Sequence, residues 1–145
     1  MKIQQLSLFL ENRPGQLKIP CRMLADAGIN IMAMSLADTQ QFGILRLIVK
    51  DWQKARRVLE GGGCVVNVTE VLAVDVEDRP GGLVELLELL DDLAIEYMYA
   101  FTCGPDSRKA TMVFRFEDPD RAIATLASRG VNVVNSAELF SRARD

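Results

Sequence analysis

The sequence predicts an α+β protein made of two consecutive copies of one β-α-β-β-α-β unit. The stretches ENRPGQLKIPCRMLADAGINI (11–31) and EDRPGGLVELLELLDDLAIEY (77–97) share eight of 21 residues at an offset of 66. At an offset of 67, residues 44–59 then align with residues 111–126. In both copies hydrophobic residues alternate where strands are expected and recur at helical spacing where helices are expected. This self-similarity indicates a duplicated unit, because two copies are too few for a solenoid.

The first copy opens with a strand, a tight turn and a helix. Residues 3–10 alternate in the manner of a half-buried strand, and Pro14 and Gly15 form the turn. The helix that follows ends at Gly28, since glycine commonly terminates helices. Pro20 lacks an N–H group, so we expect it to remove one early helical hydrogen bond and to kink the first turns. The inward-facing strand residues are Leu6, Leu8 and Leu10.

The rest of the first copy contains two strands, a helix and a final strand. Residues 29–38 and 42–49 are predicted strands. A helix then begins after Asp51, a favourable N-cap residue, and stops at the three glycines 61–63. Residues 64–71 form the last strand of this copy. The three glycines lack the Lys-Ser/Thr pair of a phosphate-binding loop, so they are interpreted as a helix stop.

The second copy repeats this order more regularly. Its first predicted helix spans 82–93, and its second begins after Asp118 with Pro119 at the first helical position. The order β-α-β-β-α-β is the ferredoxin-like plan, an antiparallel sheet with two helices on one face. We therefore expect two such modules in tandem, 1–69 and 70–145. Leucines at helical spacing mark the buried side of the first helix: Leu83, Leu86, Leu87 and Leu90.

The composition excludes several classes of partner. The chain is 49% apolar and 26% charged, as in globular proteins, and its net charge is −3. An acidic chain lacks the electrostatic footprint of nucleic-acid or anionic-lipid binding. No apolar run approaches the ~18 residues of a membrane helix, and the N-terminus does not resemble a signal peptide. These features predict a cytoplasmic protein with no nucleic-acid or membrane partner.

The residue types of the chain argue against catalysis and against a metal or cofactor. There is no histidine, so neither a Cys-His nor a Ser-His pair can form. The cysteines Cys21, Cys64 and Cys103 are too widely spaced for a zinc site, although Cys103 could be a reactive thiol at a strand end. Phe114 and Phe116 could stack on RNA bases, but the acidic balance opposes that reading. We expect no enzyme activity, no cofactor and no metal.

The repeated Arg-Pro-Gly turn is the best candidate for a binding site. Proline fixes φ and glycine adopts conformations that other residues avoid, so the chain can pass directly from strand to helix. The free N–H groups at the helix start, with the positive end of the helix dipole, favour a carboxylate. The same turn could equally be scaffolding that has been duplicated with the rest of the unit.

The two turns and their surroundings resemble the ACT domain, a regulatory βαββαβ module that binds amino acids. The signature is a strand, [Asn/Asp]-Arg-Pro-Gly-x-Leu, a helix and Gly-[Ile/Val]-Asn-Ile, here ENRPGQL…AGINI and EDRPGGL…LAIEY. In ACT modules that bind serine-like effectors, the matching asparagines, Asn12 and Asn30, would hold the ligand. The family's loop histidine falls on Leu10, so that contact is missing. The likeness covers the whole chain and resembles small stand-alone tandem ACT proteins.

The second copy departs from this pattern, because Asp78 and Glu96 stand where the aligned sequences have Asn12 and Asn30. Two acids side by side would repel a carboxylate and favour a cation. The second site therefore has a different specificity or is degenerate, and we expect the latter. The predicted ligand-binding residues are the two turns and one further asparagine: Asn12, Arg13, Pro14, Gly15, Gln16, Leu17 and Asn30, and Asp78, Arg79, Pro80, Gly81, Gly82 and Leu83.

Together these observations predict a non-catalytic regulatory protein that binds an amino acid. Ligand binding would bias self-association, expected to be a homodimer, or association with a metabolic enzyme such as one of amino-acid biosynthesis. The alternative is a structural or protein-interaction module that has lost its ligand. An enzyme on the same fold is a third reading, but the sequence lacks residues to support it.

Overall fold

The computed structural model describes residues 2–38, 41–101 and 108–142. The chain divides into two compact units. Among the described residues, the N-terminal unit contains 4–38 and 41–69, and the C-terminal unit contains 70–101 and 108–142 together with 2 and 3. Cys103, the candidate reactive thiol, lies outside the described residues.

The N-terminal unit has the predicted β-α-β-β-α-β order. Its sheet has the strand order β2-β3-β1-β4, and both β1 and β2 pair antiparallel with β3. One hydrophobic cluster includes Leu8 from β1, Leu45 from β3, and Leu24 and Leu59 from the two helices. The elements are β1 (Ile3–Glu11), α1 (Lys18–Asp26), β2 (Ile31–Asp38), β3 (Phe42–Val49), α2 (Trp52–Gly61) and β4 (Val66–Glu77).

The C-terminal unit repeats this arrangement, which confirms the predicted fold class. Strand β4 continues past Thr69, so its later residues serve as the first strand of the second sheet, whose order is β5-β6-β4-β7. A second cluster, including Leu72, Leu86, Phe114 and Leu126, packs between this sheet and two helices. The further elements are α3 (Gly82–Leu89), β5 (Ile95–Phe101), β6 (Lys109–Phe116), α4 (Pro119–Ser128), β7 (Val133–Val134) and α5 (Ser136–Ser141).

Two predicted helix starts are confirmed by their caps. The Asp51 side chain accepts a hydrogen bond from the Lys54 N–H at 3.1 Å, and Asp118 accepts one from the Arg121 N–H at 3.1 Å. Each cap satisfies one of the amide groups that the first helical turn leaves without a partner. Both second helices of the repeat are therefore set by the same local chemistry.

The first helices differ from the prediction at one end each. Helix α1 begins only at Lys18, so Pro20 lies in its first turn, where a missing N–H costs no helical hydrogen bond. Gly28 follows its end with φ of 71°, as expected. Helix α3 ends at Leu89 rather than residue 93, because the chain tightens into turns in which the Leu93 N–H donates to the Leu90 carbonyl.

Helix α5 was not anticipated from the sequence. Asn135 caps it by accepting a hydrogen bond from the Glu138 N–H at 2.8 Å, and Leu139 is fully buried. The residue after the helix is Arg142, whose guanidinium donates to the two carboxylate oxygens of Asp75 at 2.9 and 2.8 Å. Because side chains alternate along β4, Asp75 lies on the sheet face opposite the cluster that α3 and α4 cover. The C-terminal unit therefore carries helices on both faces.

Candidate functional site

At one end of each sheet, the first strand ends and the strand-to-helix turn begins. In the N-terminal unit β1 and β2 both run antiparallel to β3, so they are parallel to each other. The ends of β1 and β2 and the start of β3 therefore meet at the same end of the sheet. Asn12 lies there: its N–H donates to the Gln41 carbonyl at 3.2 Å, and its Nδ2 donates to Asp38 Oδ1 at 3.1 Å. Asn12 thus joins the three strand ends.

The N-terminal turn, residues 12–17, is held largely by its own backbone. The Arg13 N–H donates to the Glu11 carbonyl at 2.8 Å, and the Gln16 N–H donates to the Arg13 carbonyl at 3.3 Å. Gly15 has φ of 85°, a conformation that favours glycine. The Arg13 guanidinium forms an exposed ion pair with the Glu11 carboxylate. The turn is therefore closed on itself, with residues 12–15 exposed and Leu17 packed against the hydrophobic cluster of the unit.

Fewer amide donors are available at this turn than a regular helix start would supply. The Ile19 N–H already donates to the Gln16 carbonyl at 3.3 Å, and Pro20 has no N–H. Among the described residues, the N–H groups of Gly15 and Leu17 have no hydrogen-bond acceptor. These two amides, in the same turn as Asn12, are the donors that the turn can offer to a carboxylate.

Asn30 does not lie near Asn12 in this unit. It directly precedes Ile31, which pairs with Val49 at the end of β3, whereas Glu11 pairs with Phe42 at the start of β3. Residues 42 and 49 are seven steps apart, or about 23 Å at ~3.3 Å per residue. The strand registers therefore place Asn12 and Asn30 of one copy too far apart to contact the same small ligand. The reason is topological: in a βαβ unit, the first strand ends at one end of the sheet and the parallel second strand begins at the other end.

The C-terminal turn, residues 78–81, leads directly into α3. The Arg79 N–H donates to the Glu77 carbonyl at 2.9 Å, and the Gly82 N–H donates to the Arg79 carbonyl at 3.0 Å. Gly81 has φ of 87°. Gly82 is buried so closely against Glu77 that a Cβ atom would overlap the Glu77 backbone carbonyl. The corresponding residue of the first copy is Gln16, so only the second turn requires glycine there.

Arg79 braces the C-terminal turn. Its Nε donates to Glu77 Oε2 at 2.5 Å, and its Nη2 donates to the two Glu85 oxygens at 2.9 and 2.7 Å. The hydrogen bonds to Glu85, which have the larger effect, and to Glu77 raise the pKa of Arg79. The hydrogen bond from Arg79 in turn lowers the pKa of Glu77. The guanidinium is therefore already engaged by carboxylates of the chain and is poorly placed to receive a ligand carboxylate.

Two basic residues that the sequence analysis missed lie beside this turn. Arg108 and Lys109, with Glu77, Asp78 and Arg79, line a shallow cavity of about 460 Å³. The Asp78 N–H donates to the Arg108 carbonyl at 2.8 Å, and Glu77 pairs with Lys109 across the strands. The sequence signal for these residues is their position at the start of the third strand of the repeat, which the antiparallel register places beside the turn.

Glu96 does not replace Asn30 in the structure. Ile31 pairs with Val49 and Ile95 pairs with Phe116, at equivalent positions of the two sheets, so Ala94 corresponds to Asn30. The alignment slips because the segment from Gly15 to Ile31 is two residues longer than the segment from Gly81 to Ile95.

Glu96 is also remote from Asp78. It lies at the end of the sheet opposite the C-terminal turn. There Arg115 Nε donates to Glu96 Oε2 at 3.4 Å, and Arg115 Nη1 donates to the Glu70 carbonyl at 2.9 Å. The expected repulsion between two neighbouring acids therefore does not arise.

The remaining candidates show no site in the described part of the chain. Phe114 and Phe116 are buried and stack with ring centroids 5.3 Å apart, so they are not available to RNA bases. Cys21 and Cys64 are half-buried, and burial raises the pKa of the Cys64 thiol. Residues 2–38, 41–101 and 108–142 contain no His/Cys/Asp/Glu cluster suited to a metal ion. In the same ranges, no helix combines the length and apolar character that a bilayer-spanning helix requires.

A duplicated βαββαβ unit with an Arg-Pro-Gly turn in each copy defines a regulatory module of the amino-acid-binding ACT type. Residues 1–142 match the family model of the ACT domain pair, and the chain belongs to this family. A search of curated proteins finds no significant match.

Solved structures show the same architecture. Protein BT0572 from Bacteroides thetaiotaomicron is 35% identical with a TM-score of 0.89, and the alignment covers 97% of this chain and 96% of that one. The regulatory subunit of aspartate kinase from Thermus flavus is 17% identical with a TM-score of 0.61, over 94% and 92%. The ligand-free regulatory subunit of aspartate kinase from Thermus thermophilus is 13% identical with a TM-score of 0.60, over 86% and 90%. At these lower identities the likeness shows the fold.

Proposed function

We propose that this ACT domain pair is a non-catalytic regulatory protein that binds a free α-amino acid at its strand-to-helix turns. The observation that supports this proposal most directly is the N-terminal turn, which contains Asn12 and in which the N–H groups of Gly15 and Leu17 lack acceptors within the described residues. Two amide donors suit the ligand carboxylate, and the Asn12 side-chain oxygen suits its ammonium. Ligand binding would then change association with a second copy or with a metabolic enzyme.

The position of Asn30 supports a homodimer as part of this proposal. Asn30 lies at the end of the sheet opposite Asn12. It can therefore contact the same ligand only when a second copy of the chain supplies it. Strand β2 offers a surface for such pairing: among the described residues it pairs only with β3, and its Met34 and Leu36 side chains are exposed. Open strand edges favour pairing with another chain. The proposed dimer would therefore complete the amino-acid site.

The binding proposal is tested with Asn12→Ala. A thermal-shift screen of the twenty amino acids first identifies a ligand, because a ligand at ~100 times its dissociation constant stabilises a protein by roughly 2.7 kcal/mol. Calorimetry with that ligand should then show binding about tenfold weaker in Asn12→Ala, from loss of a hydrogen bond to a charged group. The exposed Asn132→Ala is the control and should bind as wild type does. Unchanged affinity in Asn12→Ala would show that the N-terminal turn is scaffolding.

The dimer proposal is tested by light scattering. A dimer of the 16.1 kDa chain has a mass of 2 × 16.1, or 32.2 kDa. Leu36→Lys places a charge on the exposed side of the β2 edge and should shift the protein towards monomer. Val84→Lys, at a similarly exposed hydrophobic position on α3, should leave the mass unchanged. A wild-type chain that remains monomeric with and without amino acids contradicts the proposal.

A further inference from the structure

We propose that the N-terminal sheet binds a short amphipathic helix of a partner protein on its outer face, the face opposite the hydrophobic cluster of that unit. The helix would take the position that α5 takes in the second copy, and it would present an apolar residue where α5 is followed by Arg142. Such a surface would join the chain directly to its partner. Its occupancy does not require an amino acid at either turn.

In the C-terminal unit, α5 lies on the outer face of the sheet. Leu139 of this helix is fully buried, and Arg142 directly follows the helix. The Arg142 guanidinium donates to Asp75 of β4, and Thr111 of β6 donates to the same carboxylate at 2.9 Å. Asp75 and Thr111 pair across the two strands. The repeated unit therefore accepts on this face a short helix with one apolar anchor and one charged anchor.

The equivalent positions of the N-terminal sheet are apolar. Asp75 is 66 residues after Phe9 and Thr111 is 67 after Ile44, the offsets at which the two copies align. Phe9 pairs with Ile44 as Asp75 pairs with Thr111, so the strand registers give the same correspondence. Leu8 belongs to the hydrophobic cluster, so the next residue, Phe9, faces the outer side. The first copy thus has an aromatic residue where the second has the carboxylate that holds α5.

This apolar position is exposed in the N-terminal unit. Phe9 is 56% exposed, and Phe42, which is two residues before Ile44 and on the same face, is 47% exposed. Both helices of the unit, α1 and α2, contribute to the cluster on the opposite face. In the described chain β4 continues directly into the second unit, so no counterpart of α5 follows it in the first. We call Phe9, Phe42 and Ile44 the outer patch.

The size of the outer patch favours a short helix over a second copy of the chain. An aromatic side chain has ~150–250 Å² of surface, so the exposed fractions of Phe9 and Phe42 amount to ~200 Å². A stable dimer buries ~800 Å² on each partner, about four times as much. A helix of one or two turns that inserts one or two apolar anchors matches the smaller area.

The charge of the outer patch determines which helix suits it. The patch is neutral, whereas the equivalent position of the second copy carries the Asp75 carboxylate. An arginine placed on Phe9 would lose water without gaining a carboxylate, so an apolar residue is favoured there. The two copies would therefore bind helices that differ in one anchor residue.

Heteronuclear NMR of the full chain with a synthetic peptide tests this inference. The peptide has the sequence of residues 135–142 with Arg142→Leu, and a staple between the exposed positions 137 and 141 holds it in a helix. It should shift the backbone amide signals of the outer patch. The same stapled peptide with the arginine retained should bind there at least about fivefold more weakly. The signal of Asp75 should not move, because α5 already occupies its position.

A change of preference tests the role of position 9. Phe9→Asp combined with Ile44→Thr gives the first copy the polar pair of the second, so the arginine peptide should then bind about fivefold more tightly than the leucine peptide. Phe9→Ser is a smaller change and should weaken the leucine peptide by the same factor. Val84→Asp, at an exposed apolar position on α3, is the matched control and should leave both affinities unchanged.

Three results would overturn the inference. The first is that neither peptide shifts the signals of the outer patch, and the second is that the two peptides bind equally well in wild type and in the double variant. The third is that Phe9→Asp converts a wild-type dimer to monomer in light scattering, which would show that a second copy covers the patch. None of these results affects the amino-acid proposal, which is decided by amino-acid binding to Asn12→Ala.

Discussion

Gly82→Ala should destabilise the C-terminal unit by about 3 kcal/mol, since overpacking at a well-packed position costs roughly 1–3 kcal/mol or more. The added Cβ would overlap the Glu77 carbonyl, which is backbone and cannot rotate away as a side chain can. Glu77 is itself fixed by pairing with Lys109 and by the hydrogen bond from the Arg79 N–H. The substitution must therefore move the strand end, the turn or the start of α3. Urea denaturation followed by circular dichroism measures the loss.

Two alanine variants serve as controls for Gly82→Ala. Gly81→Ala introduces a side chain at a φ of 87° but meets only the Arg79 guanidinium at 3.7 Å, so it should cost about 1–2 kcal/mol from the left-handed conformation. Gln16→Ala alters the corresponding residue of the first turn and should change stability by less than about 0.5 kcal/mol. Equal stability of Gly82→Ala and Gly81→Ala would show that the backbone relaxes around the added methyl group.

Arg142→Ala should destabilise the C-terminal unit by about 3 kcal/mol at neutral pH, because it leaves a mostly buried carboxylate without its cation. The Asp75 and Arg142 side chains retain only 19% and 27% of their exposure, and Thr111 donates a further hydrogen bond to Asp75 Oδ1 at 2.9 Å. Arg57→Ala, an exposed arginine on α2, is the control and should lie within about 0.5 kcal/mol of wild type. A matching result for the two variants would mean that the ion pair adds nothing to the docking of α5.

The same ion pair predicts a pH dependence. Burial on its own would raise the pKa of Asp75, but the hydrogen bonds from Arg142 and Thr111 outweigh it and hold the pKa below its ordinary value of 3.8. A depressed folded-state pKa contributes stability that is present above the unfolded value and is lost as the pH falls through the folded value. The difference between wild type and Arg142→Ala should therefore persist from pH 7 to about pH 5 and shrink below about pH 4. A constant difference down to pH 3 would contradict this assignment.

The fold could be predicted from the sequence because its determinants are local or repeated. Alternation placed Leu6 and Leu8 on the core side of β1, and both are buried. The caps at Asp51 and Asp118 act within three residues of themselves, so their sequence signals are reliable. Helix α5 was missed although Asn135 and Glu138 have the spacing of a helix start, because six residues are too few to show a periodic hydrophobic pattern.

The candidate site was harder to predict because it depends on pairing between distant segments. Spacing along the chain does not indicate at which end of the sheet Asn30 lies. Only the strand register shows that it lies at the end opposite Asn12. The same register identifies Gln41 and Arg108 as the neighbours of the turn residues. The identity-based alignment placed Glu96 over Asn30 because it had no information about the two-residue difference between the copies. Residue type could be read from the sequence, but convergence of those residues could not.

The two turns differ in length, with six residues between β1 and α1 and four between β4 and α3. Each ordered residue costs conformational entropy, and a segment already held in its bound form loses less of it when a ligand arrives. The shorter turn, fixed by Gly82 and braced by Arg79, should therefore bind with a small entropic penalty and tolerate few substitutions. The longer turn has more conformations to lose and more freedom to adapt to a new ligand. Duplication has given one chain a shorter, braced version and a longer, more adaptable version of the same strand-to-helix turn.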